Sequence, residues 1–444
     1  MKNLLKRWFP ANALKNISII SIGRFFTYFA GFIYGVAGFR ILKPRGFGQL
    51  ALIISAVRVF SLPVDLRLGS PILKLIKERL TGKLPNRNRN IIRGGLIIQT
   101  VSAILFGLTF LIFLWFFTPR FQLFYDWQTA LGWFALSELL FILRRPINSI
   151  FFAYEKFGWQ SAYAIWTSLC RDFLPIGFMI TGGVQGACQG YFIGELITVL
   201  FILVSFLMIW KNITLSSIFD PVFDFVENLK LIFYNTRSNY IAGLFNRGYT
   251  EIMQLILGGF AGPTGVGYFN VGKKLQKIFS FTGSPIKTYL FPRFIEKWNV
   301  SREEFYYTFR KYFYQLGPIM FLLMIVLGIA SPWLVPQIYG EKTIPALPLV
   351  WIMLPAFAIQ NLFSIFNNMA FVISRQRALI TKSLVTFFTG IPLAIVFIHA
   401  FGYTGAAMAF TATAFVVTIY EIYFFQANFG WKWIIPDQGN IKRD

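Results

Sequence analysis

The chain has 444 residues, 56% of them hydrophobic and only 14% charged, with a mean hydropathy of +0.59 and a formal net charge of +24. A water-soluble domain carries about a quarter charged residues; here charge is absent from repeated stretches of about 20 to 28 residues, each able to cross a bilayer as a helix. These numbers exclude a soluble globular protein, the lack of two-residue alternation excludes a membrane β-barrel, and two cysteines with one histidine cannot build a disulfide framework or a metal cluster.

Met1 to Lys15 is basic and precedes an apolar run with no small-residue cleavage site, which reads as a retained first helix over 16–42 and not as a signal peptide. The spans that follow are 47–73, 92–117, 128–152, 160–180, 187–210, 229–257, 266–291, 312–335, 346–373, 379–400 and 404–427. Spans four, seven, eight and ten carry charges or prolines and are the weakest as membrane helices. Cys170 and Cys188 fall in or beside apolar runs and read as small packed residues, and His399 reads as an interfacial residue at a helix end. Prolines 63, 175, 285, 318, 355 and 392 lie inside spans, where they kink helices. No segment between spans exceeds about 20 residues, which leaves no room for a soluble catalytic domain.

Lysine and arginine set the orientation. With the N-terminus on the cytoplasmic side, that side carries 27 basic residues and the opposite side five: Arg40, Lys43, Arg45, Arg120 and Lys342. Both termini are therefore expected in the cytoplasm. Most of the net charge is topological and calls for no nucleic acid. The run from Lys74 to Arg93, flanked by apolar spans, reads as a topogenic loop resting on an anionic leaflet.

The two halves repeat in a fixed register. Pro44-Arg45-Gly46-Phe47-Gly48 opens span two, and Pro263-Thr264-Gly265-Val266-Gly267 opens span eight, 219 residues later. Val184-Gln185-Gly186-Ala187 and Tyr403-Thr404-Gly405-Ala406 enter spans six and twelve at the same offset, as do the pairs Asn148/Asn367 and Phe152/Phe371. Six spans per half make the repeats parallel, as in several transporter folds with a cavity between halves. The expectation is an all-α integral membrane protein of twelve helices, with an N-terminal lobe over 1–210 and a C-terminal lobe over 211–444.

Ten basic residues fall inside spans, and nine of them lie on spans one, two, seven and eight: Arg24, Arg58, Arg67, Arg237, Arg247, Lys273, Lys274, Lys277 and Lys287. A charge at bilayer depth costs several kcal/mol unless it faces a wet cavity or a partner. The tenth, Arg171, precedes Asp172 and reads as locally neutralised. Arg247 and Glu251 are one turn apart, the spacing of an intrahelical ion pair, while Arg67 and Lys287 are near enough to helix ends to snorkel. Arg24, Arg58 and Arg237 are too deep for that, and Asp65 offers Arg58 a partial partner two turns on. Lys273, Lys274 and Lys277 crowd one stretch of span eight with no acid within a turn, and their repulsion would be relieved by an anionic ligand. The candidate binding residues are accordingly Arg24, Arg58, Asp65, Arg237, Arg247, Lys273, Lys274 and Lys277, enclosing a cationic cavity suited to phosphate. Glu138, Glu195 and Glu421 are the remaining membrane carboxylates and read as buried structural groups.

Leu42-Lys43-Pro44-Arg45-Gly46-Phe47-Gly48-Gln49-Leu50 resembles the loop into the second helix of polysaccharide flippases, the Wzx type, of the multidrug/oligosaccharidyl-lipid/polysaccharide exporter superfamily. Asp65-Leu66-Arg67-Leu68-Gly69-Ser70-Pro71 resembles that family's D-x-G turn, except that Arg67 stands where a glycine is often found. Gly265-Val266-Gly267-Tyr268-Phe269, Phe291-Pro292-Arg293 and Phe401-Gly402-Tyr403-Thr404-Gly405-Ala406-Ala407 are similar to its second-half counterparts. The resemblance implies transfer of undecaprenyl-diphosphate-linked oligosaccharide between leaflets of a bacterial inner membrane. It also implies cationic residues in the central cavity, a proton or sodium gradient as the driving force, and work beside a polymerase and a chain-length regulator. It implies no cofactor and no enzymatic activity, and its further partners are membrane lipid and the polyprenyl-diphosphate-linked oligosaccharide itself. The two extra helices of lipid II flippases are absent, which favours the capsule or O-antigen branch.

A multidrug extruder of the same superfamily would favour an acidic cavity for organic cations, opposite to the pattern here. A membrane glycosyltransferase, polymerase or ligase needs acidic or histidine groups on sizeable outer loops, and the outer loops are short and nearly acid-free. A non-transporting scaffold has no use for the repeat and the charged spans.

Overall fold

The computed structural model describes residues 11–66, 68–69, 72–73, 75–76, 91–117, 127–153, 157–210, 225–373, 375 and 377–430. Arg67, most of the basic run 74–93, both terminal tails and the side chains of Asn148 and Lys287 lie outside the described residues. Within the described residues the chain is helical, with no strand. In order, the elements are α1 (Ala11–Ser61), α2 (Ile91–Phe117), α3 (Gln128–Ala153) and α4 (Phe157–Ser168), then a π turn (Leu169–Phe173) running into α5 (Leu174–Trp210). There follow α6 (Phe225–Val300), α7 (Arg302–Tyr339), a 3-10 turn (Glu341–Ala346), α8 (Leu347–Phe363), α9 (Phe366–Val372) and α10 (Arg377–Phe429).

Four of these helices break internally, each for a local reason. Lys43 (φ 59°, ψ 173°) interrupts α1, and Gly262 (φ 69°, ψ 175°) interrupts α6. Both precede a proline, which pushes its neighbour out of the helical region and then opens the next helix with its own fixed φ. Gly183 (φ 56°, ψ −133°) and Gly402 (φ 59°, ψ −136°) break α5 and α10. Each pair is 219 residues apart and shares its backbone angles to within about 10°. Just past the second pair, Gly186 and Gly405 let the helix after the break fold back onto the one before it. A Cβ at Gly186 would lie 2.0 Å from the Phe178 carbonyl oxygen, and one at Gly405 1.9 Å from that of Phe397.

The chain packs into two compact units, Met1–Leu244 and Phe245–Asp444, divided inside α6. In the first, α3 lies against α2 and α5, and α1 against α4. In the second, α8 packs on α7 and α10, and the rings of Phe294, Phe305, Phe309, Phe425 and Phe429 cluster, with Phe294 edge to face against Phe305 and Phe309, and Phe309 against Phe425, at 5.2 to 5.8 Å between centres. Ser301 caps α7 by accepting from the Glu304 amide at 3.4 Å, the geometry that satisfies an otherwise orphaned donor.

Six helical runs among the described residues are long and apolar enough to cross a membrane. α3 and α6 are not in that set, in keeping with the charges that weaken spans four, seven and eight. Large apolar side chains stand exposed on the outer helices, among them Leu111 and Trp115 on α2 and Ile329 and Trp333 on α7. Water would not tolerate so broad an apolar surface, and a bilayer requires it. The protein is a multi-pass membrane protein.

Candidate functional site

Unit one is held together inside by an ionic cluster. Arg144, 4% exposed, donates from Nη2 to Oε1 of Glu195 at 2.8 Å, and Arg171 reaches the same oxygen at 3.1 Å. Arg144 also donates to the Tyr163 hydroxyl, and Arg145 pairs with Asp65. The Phe141 ring lies beneath three guanidinium groups, with its centre 4.9 Å from Arg144, 4.6 Å from Arg145 and 4.2 Å from Arg171. The π turn presents Arg171 to this group by inserting one residue into the helix, a device often found where a side chain must be re-aimed. Arg144 and Arg145, which count by sequence with the cytoplasmic basic residues at the end of span four, are paired within this cluster, and Arg171 pairs with Glu195 from another helix.

Unit two instead contains a cavity of about 480 Å³. Carboxamides from α6, α8 and α9 line it (Asn246, Gln276, Gln360, Asn361 and Asn367) together with seven hydroxyl-bearing residues. Lys382 and Glu421 meet in its wall at 2.5 Å. Gln276 donates to Gln360 at 3.0 Å, tying α6 to α8 across the wall. Only three of its eighteen lining residues are apolar: Phe410, Ala414 and Val417. Such a lining is unusual in a chain this hydrophobic.

The eight candidate binding residues divide between the units. In unit one Arg24 and Arg237 are exposed and Arg58 is half-buried. Arg237 rests its guanidinium over the Tyr234 ring at 4.1 Å. Asp65 is 4% exposed and engaged by Arg145. In unit two Arg247, Lys273, Lys274 and Lys277 are half-buried. Of the three lysines it is Lys273 that lines the cavity, its ammonium 5.6 Å from the centre of the Phe269 ring.

The cavity and the Lys382–Glu421 pair are not apparent from charge alone: Lys382 falls at a span end and counts with the 27 basic residues of the cytoplasmic side, and the five amides carry no charge to flag them. Their recurrence inside apolar spans was the available signal.

Residues 13–298 match the family model described as polysaccharide biosynthesis protein. The chain belongs to this family. No curated protein matches it in sequence. Among solved structures, it is similar to the lipid II flippase MurJ in an inward closed conformation, at 15% identity and a TM-score of 0.69 over 92% of this chain and 87% of that one. It is also similar to an inward-facing multidrug resistance MATE family transporter of the MOP superfamily, at 14% identity and a TM-score of 0.66 over 90% and 94%. The outward-facing form of a MATE family transporter gives the same identity and score over 93% and 95%. At these identities the likeness concerns the fold. The family and fold agree with the resemblance read from the sequence motifs, and these relatives are flippases and transporters, not enzymes.

Proposed function

We propose that this polysaccharide biosynthesis family member is a lipid-linked oligosaccharide flippase. It moves polyprenyl-diphosphate-linked glycan units from the cytoplasmic to the outer leaflet of a bacterial inner membrane by alternating access. The observation that carries this reading is the union of a polysaccharide biosynthesis family match with a fold shared by a lipid II flippase. The four helix breaks support twelve passes, because each broken helix counts twice, α4 runs through the π turn into the first half of α5, and α8 continues into α9. The matched angles at Lys43 and Gly262, and at Gly183 and Gly402, support two six-helix repeats in a 219-residue register. With Arg144, Arg145 and Lys382 removed from the cytoplasmic tally the asymmetry is still 24 to 5, which supports cytoplasmic termini.

Arg24, Arg58, Asp65 and Arg237 in unit one, and Arg247, Lys273, Lys274 and Lys277 in unit two, are proposed as substrate-binding residues, the cations serving for phosphate. Guanidinium and ammonium groups in a low-dielectric site bind phosphate oxygens strongly. A proton or sodium gradient is the proposed driving force, and a polymerase and chain-length regulator the proposed partners. A second reading, multidrug extrusion, is favoured by the MATE likeness and disfavoured by the cationic spans.

Charge reversal tests the site. Arg58→Glu and Lys273→Glu should each abolish export in vesicles while folded protein persists by size-exclusion chromatography. Full export in both variants would show that these cations do not bind the substrate.

A further inference from the structure

The cavity of unit two has a counterpart in unit one, and the two are filled differently. Under the 219-residue register, Phe141, Tyr163 and Glu195 correspond to Gln360, Lys382 and Ala414. The first three belong to the ionic cluster; the second three line the cavity. Gly194, where a Cβ would lie 2.2 Å from the Cys170 carbonyl oxygen, corresponds to Thr413, also in the cavity wall. One unit closes its interior with arginines and tight helix approach. The other keeps the same place open, although membrane proteins gain by packing such space.

The lining shows what would occupy it. The hydroxyls of Thr386, Thr413 and Thr418 donate to their own helix carbonyls at 2.8, 2.7 and 2.8 Å. Their oxygens are left as acceptors toward the cavity. Asn361 spends one amide hydrogen on the Phe357 carbonyl at 2.9 Å, leaving its carbonyl oxygen as a further acceptor. Gln276 and Gln360, bonded to each other, still offer one carbonyl and one amide. A guest must therefore both donate and accept at several points, which suits a polyol. A metal cation is disfavoured, because Glu421 is already paired with Lys382 and Lys273 adds a further positive charge. An apolar guest would leave these polar groups unsatisfied. A volume of about 480 Å³ lies within the range of small-ligand pockets.

We infer that this cavity is a glycan subsite, taking the sugar residue that follows the diphosphate while Lys273, in its wall, reaches the phosphate. This rests on the flippase reading and extends it to a place inside one unit.

The test uses Ser364→Cys in the full chain reconstituted in nanodiscs. Ser364 lines the cavity, and wild type, whose Cys170 and Cys188 are buried, sets the labelling background. The rate of maleimide labelling is measured with glucose, galactose, N-acetylglucosamine or glucuronate, and separately with inorganic diphosphate or sodium. With sugars at about ten times a millimolar Kd, occupancy should slow labelling roughly tenfold. Adding Asn361→Leu should remove that protection. Protection by at least one sugar and not by sodium supports the subsite. No slowing by any sugar, or slowing by diphosphate or sodium alone, overturns it. Export of a polyprenyl-diphosphate glycan by wild type is measured in parallel. Export without sugar protection sinks the subsite and spares the flippase reading; sugar protection without export does the reverse.

Discussion

Neutralising Glu195 alone should destabilise unit one severely. Its carboxylate is fully buried and lies 2.8 Å from Arg144 and 3.1 Å from Arg171. At an effective dielectric of about 20, each such contact is worth roughly 4 kcal/mol. Reorganisation discounts this, and removing one partner of a buried pair typically costs about 3–5 kcal/mol, because the remaining charge is stranded. Glu195→Gln keeps the shape and removes the anion, so the cost is electrostatic. For a unit of about this size, about 2 °C per kcal/mol converts to a melting-temperature drop of roughly 6–10 °C. The assay is thermal unfolding in nanodiscs followed by tryptophan fluorescence. A triple variant, Arg144→Met with Arg171→Met and Glu195→Leu, should recover at least half of the loss, since an apolar replacement of a whole buried ionic group is often neutral. A drop below about 2 °C for Glu195→Gln, or no recovery in the triple variant, would refute the claim that charge pairing holds this cluster together.

Lys43 has a backbone conformation that costs a side-chain-bearing residue about 1–3 kcal/mol, and a glycine, Gly262, takes nearly the same angles at the break in α6. Lys43→Gly should therefore raise the melting temperature by a few degrees, and Lys43→Val should lower it. At Gly186 a valine side chain would begin 2.0 Å from a carbonyl oxygen, so Gly186→Val should eliminate the monodisperse species in size-exclusion chromatography.

The helices were legible because the signals that make them are local. Apolar runs mark the spans, and proline or glycine at 44, 183, 263 and 402 marks the breaks that separate them. The glycines at 186 and 405 stand out in the sequence for the same reason, since a close backbone approach admits one residue type. The ionic cluster was not. Arg144 and Glu195 are 51 residues apart, Asp65 and Arg145 80 apart, and Lys382 and Glu421 39 apart. A positive charge near a helix end reads as topology until its partner on another helix is known. The cavity is hidden for a different reason: Asn246, Gln276, Gln360 and Asn361 are neutral, and a short amide in an apolar span looks like packing until several converge.

The most direct measurement is transport itself: movement of a polyprenyl-diphosphate-linked oligosaccharide across liposomes containing the purified wild-type protein. Protein-dependent movement of the lipid-linked glycan, with no extrusion of a cationic dye, is the predicted result. Dye extrusion without glycan movement would contradict the account and make the protein a drug exporter.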